Sequence, residues 1–231
     1  MQLSKFFRVE NYRSLFVFKK VSFVTSSFDL EPLYRLAARE LICLMYNIRF
    51  IGFSKIPATG GILIISNHLS YVDGLIINAL CKRKVRYIID KDIYQKPLIN
   101  YFMRLNRAIP IAANRTDVAA ALDMISEGLR QGDAICIFPE GQLTNNGYMS
   151  HFRPGIEWII NRDPVPIYPI ALHGLWGSIF SRRYKKFLQR LLHCIFRRNV
   201  TAICGDPIIP ADATLDGLQL AVLKLRNLIA D

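Results

Sequence analysis

Hydrophobic positions along the 231-residue chain change period repeatedly, and the changes predict its elements. Leu30, Leu33, Tyr34, Ala37, Ala38, Leu41, Ile42, Met45 and Ile48 keep three-and-four spacing, the stripe of an amphipathic helix over 30–48. Leu36, Cys43 and Leu44 widen that stripe, so the helix can bury against the domain, sink into lipid headgroups, or do both. Arg49 to Phe53 then reads as a short strand and residues 57–61 as a turn. Gly61 to Ile65 is apolar and β-branched, a buried strand, and Val72 to Leu80 reads as a helix.

The alternation continues. Strands are expected at Val85–Ile89, Ala108–Ile111, Ala134–Phe138, Val165–Leu172 and Val200–Ile203. Helices are expected from Lys96-Pro97 to about Asn106, over Asp117–Leu129 with a Thr/Asp cap, and over Leu215–Ile229. Such a sequence of elements predicts an α/β fold: a mixed, largely parallel central sheet flanked by helices, preceded by an N-terminal amphipathic helical segment. Residues 1–48 make the arm and helix, and 49–231 a single domain without repeats or linkers.

Composition changes the picture in one respect. A hydrophobic content of 52% and a mean hydropathy of +0.21 are high for a soluble domain. Yet no apolar run reaches the roughly 18 residues of a spanning helix. Surplus hydrophobicity without a span points to a protein lying on a membrane. The net charge of +12 calls for an anionic partner, lipid headgroups or nucleic acid. Two segments fit the lipid reading. Residues 1–28 interleave aromatic and basic side chains. Arg182 to Arg198 sets seven positive charges around an apolar face that includes Phe187, Leu191 and Ile195. No RNP, KH or zinc-finger pattern supports nucleic acid. The five cysteines form no CxxC pair, the N-terminus has no signal-peptide core, and no cluster of metal ligands stands out. The chain is read as peripheral, at the cytoplasmic face of a membrane.

Candidate chemistry begins where the buried strand breaks into a helix, at Ser66-Asn67-His68-Leu69-Ser70-Tyr71-Val72-Asp73. His68 and Asp73 are five residues apart, not helix neighbours. In a tight turn Asp73 folds back onto one imidazole nitrogen, fixing the tautomer and leaving the other nitrogen as a base. The alternative is a capping network in which Ser66 or Asn67 caps the helix and His68 is merely exposed.

Three further patches lie at strand ends: Arg115, Phe138-Pro139-Glu140-Gly141, and the proline-rich Val165–Ile170. The ordered set of four, over about residues 50–205, resembles the glycerolipid acyltransferase family of the lysophosphatidic acid acyltransferase type. The resemblance implies that His68 is the general base and Asp73 its orienting partner. It also implies that Arg115 binds a substrate phosphate and that Glu140 and Gly141 line the acceptor site, with Asn67, Thr144 and Arg153 as further binding residues. The reaction it implies moves a fatty acyl group from acyl-CoA or acyl carrier protein to the hydroxyl of a lysophospholipid, foremost 1-acylglycerol-3-phosphate. No other cofactor and no metal is expected. The chain departs from the common pattern after Gly141, where it reads Gln142-Leu143-Thr144-Asn145-Asn146. With Leu172–Ser178, this looks more like the branch that reacylates 2-acyl-glycerophosphoethanolamine. His151 and His173 are weaker candidates, and His193 is read as a packing residue.

Overall fold

The β-branched runs lie side by side in one sheet in the computed structural model, which describes residues 10–11, 31–183 and 197–228. In chain order the elements are β1 (Glu10–Asn11), α1 (Glu31–Met45), β2 (Tyr46–Ile51), β3 (Ile62–Ser66), α2 (Asp73–Leu80) and β4 (Val85–Asp90). They continue with α3 (Lys91–Tyr94), α4 (Pro97–Leu105), β5 (Ile109–Ile111), α5 (Arg115–Arg130) and β6 (Ala134–Ile137). The last are α6 (Gly155–Arg162), β7 (Ile167–His173), β8 (Arg198–Cys204) and α7 (Leu215–Asn227). The strand order is β1-β2-β8-β7-β3-β6-β4-β5. Strands β7, β3, β6, β4 and β5 run parallel, while β8 is antiparallel to β7 and parallel to β2. The mixed, largely parallel sheet is therefore present, and five strands end on one edge.

Both faces of that sheet are covered, as a parallel sheet requires. Alternate residues of β3 separate the two cores. Ile62 and Ile64 face α1 and α2 through Ile42, Ile76 and Ile77. Leu63 and Ile65 face α5, α6 and α7 through Ile125, Ile156 and Leu218. Every residue of β3 is buried, which is why the run reads as uniformly apolar.

Three boundaries differ from the sequence reading. The first helix stops at Met45, and β2 follows at once, so the domain break expected after Ile48 falls inside a strand. Tyr46, Ile48 and Phe50 alternate with exposed residues, a period of two. Ile48 lies three residues after Met45 and so imitates the next turn of the helix. The expected stripe also divides: Ile42 is buried, whereas Leu33 and Leu41 are exposed with Leu36 and Leu44. Helix α5 begins at Arg115 because Asn114, not Thr116 or Asp117, is its cap, accepting the Asp117 N–H at 2.8 Å. Helix α6 lies in a stretch that the periodicity left unassigned. The basic segment 182–198 lies outside the described residues except at its ends, as does most of the arm 1–28, and His193 with it.

Candidate active site

The loop leaving β3 is shaped by one carboxylate. Asp73 is the first residue of α2 and fully buried, and its Oδ2 accepts three hydrogen bonds. The donors are the backbone N–H of Leu69 at 2.6 Å, that of Ser70 at 2.9 Å, and His68 Nδ1 at 2.9 Å. The cap residue Val72 makes no side-chain bond, so neither Ser66 nor Asn67 caps the helix. Asp73 sits in the first turn, where an anion suits the helix dipole, and turns back to hold the preceding loop. An ionised carboxylate only accepts, so Nδ1 carries the proton and Nε2 keeps a free lone pair. The His68 ring stacks on Phe138 with centroids 4.0 Å apart, and about a fifth of the side chain stays exposed. Burial raises the Asp73 pKa above its ordinary 3.8, opposed first by the hydrogen bond from His68. Its Oδ1 is buried with no hydrogen-bond partner among the described residues, which adds to the penalty on the anion.

Glu140 holds the same loop from the neighbouring strand. Its Oε1 accepts the His68 backbone N–H at 2.8 Å, and its Oε2 accepts that of Ser150 at 2.7 Å. The carboxylate is buried and both oxygens face backbone donors, so Glu140 positions His68. Burial pushes its pKa up, against these two bonds. Thr144 is held in the same way. It is 1% exposed, its N–H donates to the His68 carbonyl at 3.0 Å, and its hydroxyl donates to the Tyr148 carbonyl at 2.7 Å. Asn67 is fully buried, donating to the Leu172 carbonyl at 3.0 Å and accepting the Leu172 N–H at 2.8 Å. That exchange ties the end of β3 to β7.

The exposed candidates are cationic. Arg115 sits exposed at the start of α5, with no ion pair or hydrogen bond from its side chain among the described residues. Arg153 is exposed too, and its Nε donates to the Glu140 carbonyl at 3.2 Å. Its side chain lies across Gly141, where φ is +67° and a Cβ would stand 2.8 Å from Arg153 Cδ. Gly141 thus admits the arginine at the site's edge. Strands β3 and β5 are three spacings apart, about 14 Å between backbones. Phe138, the stacking partner of His68, is the residue the sequence reading missed. It heads the Phe-Pro-Glu-Gly block, so its position was in view but not its role.

The serines that flank His68 are not poised as nucleophiles. Ser66 and Ser70 are fully buried. Cys136 lies under the dyad with its thiol pushed well above the ordinary value, chiefly by burial. A family model described as Acyltransferase matches residues 47–173. The chain belongs to the acyltransferase family. The matched span runs from β2 to β7 and contains His68, Asp73, Arg115 and Glu140.

Within this family the chain is 27% identical over 186 residues to a probable 1-acyl-sn-glycerol-3-phosphate acyltransferase of Mycoplasma pneumoniae, covering 78% of this chain. It spans 64% of that relative's length, less than two thirds. A protein of Mycoplasma genitalium with the same description is 25% identical over 212 residues, 87% of this chain and 76% of the relative. The crystal structure of the 1-acyl-sn-glycerophosphate acyltransferase of Thermotoga maritima superposes with a TM-score of 0.70, covering 87% of this chain and 80% of that one. At 17% identity that likeness speaks for the fold of this acyltransferase-family chain.

Proposed function

We propose that the chain transfers a fatty acyl group from an acyl thioester to the free hydroxyl of a lysophospholipid, with 1-acylglycerol-3-phosphate as the preferred acceptor. The observation that carries this reading is the buried Asp73 bonded to His68 Nδ1, which leaves Nε2 without that partner at the sheet edge from which α5 and Arg115 also start. Nε2 takes the hydroxyl proton as the alcohol oxygen attacks the thioester carbonyl. The carbon–sulfur bond then breaks, and the departing thiolate recovers the proton from the imidazolium. Asp73 stabilises that imidazolium in the interval. These steps balance without an acyl-enzyme, metal or other cofactor, so acyl-CoA and acyl carrier protein both serve as donors in principle. Arg115 and Arg153 offer forked donors suited to phosphate.

Labelled acyl donors offered with a panel of lysolipids test the reading. Transfer to 1-acylglycerol-3-phosphate is expected to exceed transfer to 2-acyl-glycerophosphoethanolamine, the alternative raised by residues 142–146. Arg115→Ala should raise KM for the phosphate-bearing acceptor about ten- to hundredfold, the loss of a charged hydrogen bond. A neutral monoacylglycerol should show little change. Equal loss for both acceptors contradicts a phosphate role for Arg115.

The reaction is placed at the cytoplasmic face of a membrane, with anionic lipid as the partner surface. No described helix is long and apolar enough to cross a bilayer. Support comes from Leu36 and Leu44, 51% and 71% exposed on α1, and from α4, whose Tyr101 and Phe102 are exposed. Apolar insertion and the charge of +12 then act together. Leu36→Gln with Leu44→Gln should weaken sedimentation with anionic vesicles by about tenfold or more per leucine inserted, without lowering Tm. Unchanged vesicle binding would remove α1 from the membrane contact.

A further inference from the structure

Two arginines converge on a turn that is bonded to the catalytic loop. Beyond β7 the chain turns through Leu175 to Ser181, and Gly177 in that turn has a φ of +90°. A Cβ on Gly177 would stand 3.2 Å from Arg183 Nη1 and 3.2 Å from Arg198 Nη2. The two guanidinium groups therefore come within about twice that distance of each other, over a residue with no side chain to part them. Arg198 donates to the Gly177 carbonyl at 2.6 Å and the Trp176 carbonyl at 3.2 Å, which occupies part of its fork of donors. Arg183 is exposed. Like charges held this close repel, and an anion bound between them relieves the repulsion.

The turn is rigid. Ser181 Oγ accepts the Gly177 N–H at 3.0 Å and donates to the Ser178 carbonyl at 2.9 Å, and both serines are buried. Ser181 also pairs with Ser70 in a β-bridge, and the Phe180 carbonyl accepts the Tyr71 N–H at 3.2 Å. Ser70 is one of the residues whose N–H groups Asp73 holds, so the arginine pair and the His68–Asp73 dyad share one frame. Sheet order sets their sides. Arg115 follows β5 on one side of His68, whereas Arg183 follows β7 and Arg198 opens β8 on the other. Strands β3 and β8 are two spacings apart, about 10 Å between backbones.

We infer that Arg183 and Arg198 bind a phosphate ester of the acyl donor, the one that ends its pantetheine arm. The inference rests on the acyl-transfer reading for the identity of the ligand. Two forked cations suit a group with several oxygens on one centre, a phosphate more than a carboxylate. The acceptor phosphate is assigned to Arg115, which leaves the β7 side for the donor. Acyl-CoA and acyl carrier protein carry the same phosphopantetheine arm, a flexible chain long enough to reach His68 from this turn, so one site serves both. A lipid headgroup offers the same phosphate chemistry, but a turn bonded to the catalytic loop favours the donor.

The experiment compares acyl-pantetheine with acyl-phosphopantetheine as donors. In wild type the phosphate should lower the donor KM about ten- to hundredfold, the range of a hydrogen bond to a charged group. Arg183→Gln should remove most of that preference, and Arg183→Lys, which keeps the charge without the fork, should restore part of it. The preference is a ratio measured within one protein, so partial unfolding cancels from it. A preference that survives Arg183→Gln, or a wild type that shows none, overturns the inference. Calorimetry with phosphopantetheine and pantetheine repeats the comparison without turnover. If Arg183→Gln weakens phosphopantetheine binding while no transfer occurs with any lysolipid, the acyl-transfer reading fails and the anion site stands. If Arg183→Gln instead lowers sedimentation with anionic vesicles and leaves the donor preference intact, the arginines serve lipid and the inference falls.

Discussion

His68→Ala is expected to slow acyl transfer about a hundred- to ten-thousand-fold, the usual contribution of a positioned general base, with little change in circular dichroism. The ring is part-exposed and, among the described residues, bonds through Nδ1 and stacks on Phe138, so its removal leaves no buried donor unmet, and Asp73 Oδ2 still accepts from Leu69 and Ser70. Asp73→Asn should fall in the same range for another reason. An amide oxygen can still accept from Leu69 and Ser70, keeping the loop, but a neutral partner cannot stabilise an imidazolium. Acid should mimic the variant without unfolding the protein. The raised pKa of Asp73 and that of Glu140 mean that each contributes most to stability below its unfolded value and loses that contribution as pH rises through its folded value. Protonating them on acidification therefore removes the catalytic charge without removing folding energy. Reversible loss of activity with an intact dichroism spectrum is the expected result. Wild-type-like turnover by folded His68→Ala would end the base mechanism, and unfolding in step with inactivation would contradict the sign assigned to the two carboxyls.

Glu140→Ala should damage both fold and activity. It orphans two backbone N–H groups, those of His68 and Ser150, at about 1–3 kcal/mol each. That is a large share of the roughly 5–15 kcal/mol that holds a domain together. Glu140→Gln separates the two consequences. One oxygen remains to accept, while its NH₂ meets a donor, so Tm should fall by several degrees, at about 2–4 °C per kcal/mol for a chain of this size. Freed from its brace, His68 should lose at least about tenfold in kcat, because misplaced groups forfeit much of their orientation advantage. KM for the acceptor should stay near wild type, since both Glu140 oxygens are taken up by backbone donors. A variant with lowered affinity and unaltered kcat would return Glu140 to the acceptor site.

Much of the architecture was open to sequence reasoning because the sheet is buried on both sides. The runs at 62–66, 134–137 and 167–173 have no polar face to blur them, and the periods of α2, α5 and α7 were equally plain. Local coincidence defeated the reading at Ile48, where a strand residue falls on helical spacing. At Asn67, Glu140 and Thr144 the backbone partners that hold the side chains were not legible. A motif fixes which residues gather at a strand end, but whether a carboxylate faces a ligand or a backbone N–H depends on loops from β6 and β7 distant in sequence. The His68–Asp73 bond was legible because its ends are five residues apart and the turn between them is tight. The pairing of Glu140 with His68 joins residues 72 apart, and no periodicity records it.

The junction of α1 and β2 gives the molecule a compass as well as a core. Helix passes into strand at Met45–Tyr46 with no intervening loop, and Tyr46 pairs with Arg198 at the sheet edge where β7 ends. The Arg197 guanidinium closes the joint, bonding the Cys43 carbonyl and, at 3.2 Å, that of Tyr46. Carbonyls at a helix C-terminus favour such a cation. If α1 lies in lipid, it acts as a bracket that carries the whole sheet at a fixed tilt, with the His68 edge held toward the bilayer. Substrate capture then becomes a two-dimensional search, and a flexible spacer inserted after Met45 would slow turnover by letting the edge turn away, without altering one atom of the site.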